Sequence, residues 1–386
     1  MIALTAAALL TPLERIERPI LLLEDGTISE ISSREFRELP TDCRIVDYKD
    51  AILAPSFIDI HIHGAAGHDV MEASTDAMPA IEQLLAKHGV GNYFPTTVTA
   101  PVDTTIAALG RLADAIEVSR KQTPAMLRAR PIGIHLEGPF LSHARRGIHP
   151  PQNLTRPSPE LFERFWEASR GHIRVLTIAP ELEGALDVIS KATELGVCVS
   201  LGHSDADLEA TRAAVKAGAR HATHLFNAMR PLGHRDPGIV GEALTNPDVA
   251  VEIIADDIHL HPSIVKLTLT AKGRDGVILI TDGTAATGMP DGRYRLGTSE
   301  FDVKEGICMS GGKLAGSTLT LDRAVRNVMR FADYDLQRAV ALATVNPGRA
   351  ALLPHRGKLQ VGGMADVVVL SPEGEVRTTI IGGIGF

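Results

Sequence analysis

From about residue 52 onward, short β-rich runs alternate with longer stretches in which apolar positions recur at helical spacing. This alternation predicts repeated strand–helix units and a parallel sheet. Candidate strands fall at residues 56–63, 91–97, 132–137, 173–178, 197–202, 220–224, 250–255 and 277–282. Eight such strands close a (β/α)8 barrel of the TIM type. Intervening helices are expected at 76–88, 103–120, 159–170, 184–195 and 205–217, with Asp103 and Asp205 as N-caps. Gly89, Gly171, Gly196 and Gly218 stand where left-handed C-caps would end four of them.

The two ends of the chain follow another pattern. Residues 1–53 hold short strands with a hairpin signal at Asp25-Gly26, and residues 355–386 hold strands at 365–370 and 376–381 around a Pro372-Glu373-Gly374 turn. Neither piece is large enough to fold alone. The expected architecture is therefore a barrel over 54–354, with both termini pairing into one small β-sandwich domain beside it.

Composition narrows the picture. With 386 residues and 44% apolar content the chain can bury a large core, and its net charge of -8 gives nucleic acid no electrostatic reason to bind. Cys43, Cys198 and Cys308 lie far apart without a C-x-x-C pair, which suits a reducing compartment. The apolar opening lacks a basic lead and runs into Thr11-Pro12 and charged residues, and no run approaches the ~18 apolar residues of a membrane span. A cytoplasmic protein that does not engage membranes is expected.

The chemistry-bearing residues collect at predicted strand ends. His61 and His63 end the first strand, and a period of two turns both imidazoles to one side. Glu137 ends the third, His203 the fifth, His224 the sixth and Asp282 the eighth. A single histidine in such a place is usually a hydrogen-bonded structural residue. Six metal-competent groups on the rim where barrel enzymes keep their chemistry predict a site for zinc or a similar first-row ion. His135, two residues before Glu137, should face inward one layer deeper and support a ligand. Asp59 is expected either to orient a ligand or to brace the chain.

Several segments carry a family resemblance: 55–64 around Asp59-Ile60-His61-Ile62-His63, His135-Leu136-Glu137-Gly138-Pro139-Phe140, 178–181, His224-Leu225-Phe226-Asn227-Ala228-Met229, 282–292 and 315–320. In order across nearly the whole chain, they resemble the N-acetylglucosamine-6-phosphate deacetylases of the amidohydrolase superfamily. The resemblance implies that Glu137, His203 and His224 hold a principal divalent ion, and that His61 and His63 make a second metal available. Zinc leads, with iron, cobalt or manganese as the other candidates. It implies Asp282 as general acid–base, His149 on the acetyl carbonyl, and Asn227, Ala228 and His259 on the bound sugar phosphate. It further implies a homodimer in which Arg235 reaches the neighbouring subunit's phosphate. Asp257 and Gly283 depart from the glycine and alanine usual in the family, which bears on sugar selectivity.

The expected activity is metal-dependent deacetylation of N-acetylglucosamine 6-phosphate to glucosamine 6-phosphate and acetate in amino-sugar catabolism. The rival readings are an amidohydrolase acting on another N-acetyl hexosamine phosphate, an N-acyl amino acid or a cyclic amide, and a non-catalytic scaffold of the same fold.

Overall fold

A computed structural model describes residues 1–11, 14–72, 74–121 and 126–386; Pro12, on which the reading of the chain's opening partly rested, lies outside them. Eight strands form the barrel: β1 Phe57–Ile62, β2 Val90–Thr97, β3 Ile134–Glu137, β4 Ile173–Ile178, β5 Cys198–Leu201, β6 His221–Ala222, β7 Ala250–Ile253 and β8 Val277–Leu279. Each pairs in parallel with the next. The ring is completed where Asp282 N donates to His61 O at 2.9 Å and His63 N donates to Gly283 O at 2.8 Å. The expected (β/α)8 barrel is therefore the architecture of the chain.

Helices α1 Ala77–Lys87, α2 Val102–Lys121, α3 Pro159–Ala168, α4 Ala185–Glu194, α5 Leu208–Ala217, α6 Gly238–Thr245, α7 Pro262–Lys272 and α8 Leu321–Ala332 run outside the strands. Local chemistry fixes their ends. Ser158 caps α3 by accepting from Leu161 N at 3.1 Å. Gly89, Gly171, Gly196 and Gly218 all have positive φ, as left-handed C-caps require. Two expected N-caps are corrected. Asp103 lies inside the first turn of α2, where it favours the helix dipole. Asp207, not Asp205, caps α5, which begins at Leu208, by accepting from Ala210 N at 2.9 Å; Asp205 instead accepts from Arg145 at 2.7 Å.

Both termini form sheets. Ile2–Thr5, Pro19–Glu24, Thr27–Ser33 and Arg44–Asp47 make one; Ala8–Leu10, Arg15–Glu17, Ile52–Pro55, Val367–Leu370 and Val376–Ile380 make the other. The second joins the chain ends, since Ile52–Pro55 pairs antiparallel with Val367–Leu370. Alternation then divides its side chains. Leu9, Leu53, Val367 and Val369 pack against Leu4, Leu21 and Leu23 of the first sheet, whereas Leu10, Ile52, Val368 and Leu370 enter the barrel's core. The unbroken apolar run at 367–370 is thus a strand buried on both faces, and it anchors the sandwich to the barrel.

A four-stranded antiparallel meander after β8, Gly292–Leu296, Ser299–Lys304, Ile307–Ser310 and Lys313–Leu314, was not anticipated from the sequence. It supplies one wall of the cavity described next.

Candidate metal centre and active site

The ends of β1, β3, β5, β6 and β8 open into a cavity of about 320 Å³ lined by His63, Glu137, His149, His203, His224, Asn227, Ala228, His259 and Asp282, with Leu296, Lys313 and Leu314 from the meander. His203, His224 and Asp282 have φ of 47°, 29° and 49°, left-handed values that non-glycine residues rarely adopt. These three residues were expected inside or at the ends of strands. Instead the backbone leaves the sheet just there, which turns each side chain into the rim.

Glu137 is the hub. Its Oε1 lies 3.3 Å from His203 Nε2 and 3.3 Å from His224 Nε2, and the two nitrogens are 3.1 Å apart. Three donors of a tetrahedral ion bonded at about 2.0–2.2 Å stand about 3.3–3.6 Å from one another, so this triangle has nearly the dimensions of one face of such a site. His61 Nε2 approaches the same oxygen at 3.5 Å, and His63 Nε2 reaches Glu137 Oε2 at 3.2 Å. His61 and His63 lie in turn 3.6 and 3.3 Å from Asp282 Oδ1. His61 Nε2 and Glu137 Oε1 are buried without a hydrogen-bond partner among the described residues. Orphaned polar atoms of this kind are costly unless something coordinates them. The donor set therefore fits a divalent metal.

For every candidate ring but His224, whose Nδ1 is buried without a partner among the described residues, the far nitrogen decides what the near one offers. His63 Nδ1 donates to Thr96 O and His203 Nδ1 to Arg145 O, both at 3.0 Å, while His61 Nδ1 donates to Glu252 Oε2 at 3.0 Å. All three acceptors retain the proton on Nδ1, leaving the Nε2 lone pair toward the rim. His149 is the reverse case. Its Nδ1 accepts from Thr99 N at 3.2 Å, so its proton stands on Nε2, and burial lowers its pKa to about 4. His149 lies close enough to Glu137 and His203 to form a third metal-competent group with them. The tautomer argues against ligation and makes it a neutral hydrogen-bond donor 3.5 Å from Glu137 Oε2.

Electrostatics favours a cation here. Burial alone would keep Glu137 and Asp282 protonated, but the surrounding imidazoles outweigh it and hold both carboxyls below the usual range. Burial likewise opposes charge on His63, yet Asp282 and Glu137 raise its pKa to about 9. The pocket stabilises carboxylates and demands positive charge between them, whether protons or a metal ion.

His135 lies beneath the rim, as expected, with Nδ1 on Ile60 O at 3.1 Å and Nε2 on Thr177 Oγ1 at 2.7 Å. Asp59 braces the barrel seam by accepting from Thr281 Oγ1 at 2.6 Å and His61 N at 3.3 Å. His259 donates through Nδ1 to Asp256 at 2.7 Å, which turns Nε2 to the cavity. Asn227 N is spent on His224 O at 3.0 Å, whereas Ala228 N has no partner among the described residues. Arg235 is exposed on the loop before α6 and is not among the residues lining the cavity. Sequence reasoning missed Glu252 beneath the rim and Lys313 in the wall. A carboxylate inside the apolar strand Ala250–Ile253 was the signal for the former.

A family model described as the amidohydrolase family matches residues 52–384. An N-acetylglucosamine-6-phosphate deacetylase of Vibrio furnissii is 38% identical over 368 residues, 93% of this chain and 88% of that protein. An N-acetylgalactosamine-6-phosphate deacetylase of Escherichia coli is 37% identical over 369 residues, 95% of this chain and 94% of that protein. Among solved structures, the N-acetyl-D-glucosamine-6-phosphate deacetylase of Mycobacterium smegmatis in complex with N-acetyl-D-glucosamine-6-phosphate superposes with a TM-score of 0.92 at 34% identity, covering 100% of this chain and 98% of that one. The chain belongs to the amidohydrolase family and, within it, to the N-acetylglucosamine-6-phosphate deacetylase group.

Proposed function

We propose that this chain is a metal-dependent deacetylase that converts N-acetylglucosamine 6-phosphate to glucosamine 6-phosphate and acetate in amino-sugar catabolism. One observation carries the reading: the Glu137–His203–His224 donor triangle, the carboxylate of Asp282 and the Nε2–H of His149 all face one cavity. The non-catalytic scaffold reading has no support in a rim so equipped.

Glu137, His203 and His224 would hold the principal ion, with zinc the leading candidate, and His61 and His63 would provide for a second. A divalent ion there would supply Lewis acidity for activating water at neutral pH and polarising the acetyl carbonyl. Asp282 takes a proton from the attacking water and passes it to the sugar nitrogen as the C–N bond breaks, so that acetate and the amine leave. His149 donates from Nε2 to the carbonyl oxygen as negative charge develops on it. His259 and the free N–H of Ala228 receive the sugar phosphate. Arg235, with no place in its own cavity, completes the phosphate site of the partner in a homodimer.

In this reading residues 54–354 carry the chemistry, and residues 1–53 with 355–386 buttress β1. Among the described residues no helix is long and apolar enough to cross a membrane. The free cysteines Cys43, Cys198 and Cys308 accord with a cytoplasmic setting.

The test is free-amine release from a panel of N-acetyl hexosamines, with and without the 6-phosphate and with and without chelator. Turnover of the phosphorylated glucosamine derivative that chelation abolishes is expected. Equal turnover of N-acetylgalactosamine 6-phosphate would overturn the epimer assignment, and chelator-resistant turnover would overturn the metal.

A further inference from the structure

A second concentration of chemistry lies at the opposite end of the barrel. Arg120 belongs to the last turn of α2, Arg130 to a short strand, Arg130–Pro131, that pairs with the early part of β2, and Arg174 to the start of β4; Arg356 follows Val345–Ala350, the last helix of the chain. All four line one cavity of about 350 Å³, which meets a neighbouring one of about 390 Å³ at Arg356 and Met364. These volumes suit small-molecule sites.

The charge there is not balanced. Among the described residues Asp366 is the carboxylate in ion-pair range, 3.6 Å from both Arg130 and Arg356. Its oxygens are further occupied by Asn92 Nδ2 at 3.1 Å and Gly382 N at 2.8 Å. Arg120 and Arg174 have no ion-pair or hydrogen-bond partner among the described residues. Arg130 Nε and Arg174 Nε are buried and unpaired, although the Arg130 side chain is only 11% exposed. Burial and repulsion from Arg120 lower the pKa of Arg174, and burial does the same to Arg356 with repulsion from Arg130 and Arg120 added. Arg130 and Arg356 share one carboxylate while Arg174 and the exposed Arg120 line the same cavity without one, an arrangement that a bound anion would relieve, and their planar donor forks match phosphate oxygens.

We propose that this basal cavity is a binding site for a small phosphate-bearing anion, separate from the catalytic mouth. The site draws on α2, β4 and the segment linking barrel to sandwich, so an anion there ties the two sheet systems together.

Titration calorimetry of the metal-loaded full chain with inorganic phosphate, against chloride at matched ionic strength, tests this. Arg174→Gln and Arg356→Gln should each weaken binding by about tenfold or more, the loss of one charge-assisted contact. His259→Asn should leave this binding in place, whereas phosphate held at the catalytic cavity would show the reverse pattern. Without phosphate, Arg174→Gln should melt no lower than the wild type, because a crowded charge has been removed, and its phosphate-induced rise in Tm should vanish. The two arginines come from separate elements, so either variant can carry the test if the other folds poorly. Phosphate binding no stronger than chloride, or binding lost only in His259→Asn, overturns the proposal.

Discussion

Replacing Glu252 by glutamine probes the layer beneath the candidate metal ligands. Glu252 is fully buried; its Oε2 accepts from His61 Nδ1 at 3.0 Å and from the backbone N of His224 at 3.1 Å, so one oxygen orients two candidate ligands. Glutamine can keep its amide oxygen in that place, so geometry is largely retained and the charge is lost. A hydrogen bond to a charged group contributes about 1.5–3 kcal/mol and a neutral one about 0.5–1.5, so two bonds together forfeit roughly 2–3 kcal/mol. Part of that loss falls on His61, whose imidazole becomes a weaker base without the carboxylate. The expected result is metal affinity reduced about 10- to 100-fold, equivalent to ~1.4–2.7 kcal/mol, with much of kcat recovered when metal is added to saturation. Competition with a chromogenic chelator measures the first, and activity against free metal concentration the second. Glu252→Leu, which strands both donors, should lower stability by about 2–6 kcal/mol as well. Metal affinity in Glu252→Gln within about twofold of the wild type would refute the claim that this carboxylate tunes the rim.

Asp282→Asn should lower kcat by ~10² to 10⁴ while metal content changes less, as read by steady-state kinetics beside metal analysis. Arg235→Ala should raise KM for the phosphorylated sugar by the equivalent of ~2–4 kcal/mol and spare the unphosphorylated one; mixing it with an Asp282→Asn partner should restore some sites, if phosphate contacts cross the dimer. Burial opposes charge on His259, but the Asp256 hydrogen bond prevails and raises its pKa, so the imidazolium is present below that raised value and lost above it. KM for the phosphorylated substrate should therefore climb as pH rises through this range, and Asp256→Asn should move the climb to lower pH; an unmoved profile excludes His259 as its source. Gly316 has a φ of 59° and an added Cβ would stand 2.8 Å from the Asp282 carbonyl oxygen, so Gly316→Ala should reduce kcat through Asp282 with little change in KM.

The barrel and its rim were legible because polar residues interrupt apolar runs at the points where strands stop. His203, His224 and Asp282 stand out in this way without knowledge of their partners. Glu252 did not, since its meaning depends on His61, 191 positions away in the chain. The meander left a local trace in Ser299–Lys304, where buried Phe301 and Val303 alternate with exposed Glu300, Asp302 and Lys304. That trace is only one strand long, and its pairing with Gly292–Leu296 rests on cross-strand contacts such as Arg293–Asp302 at 2.9 Å, which no helical or strand period announces. The expected cap Asp205 is instead engaged by Arg145, 60 residues distant, a contact that local reasoning does not show.

What separates candidate ligand from candidate oxyanion donor for His61, His63, His149 and His203 is the atom behind the ring, not the ring itself; His224 Nδ1 is buried without a partner among the described residues. Thr96 O, Arg145 O and Glu252 are acceptors and force the lone pairs of His63, His203 and His61 toward the rim, whereas Thr99 N is a donor and forces the proton of His149 there instead. Thr96 and Thr99 both belong to β2 and the turn that follows it, so a separation of three residues on one element changes a carbonyl into an N–H and an expected ligand into an expected hydrogen-bond donor. The histidines are interchangeable by residue type and by distance, as their shared proximity to Glu137 shows. Three of these four contacts are made by backbone atoms of Thr96, Arg145 and Thr99, which side-chain substitution at those positions leaves in place, so that much of the rim's proton arrangement is a property of the fold; the fourth depends on the Glu252 side chain.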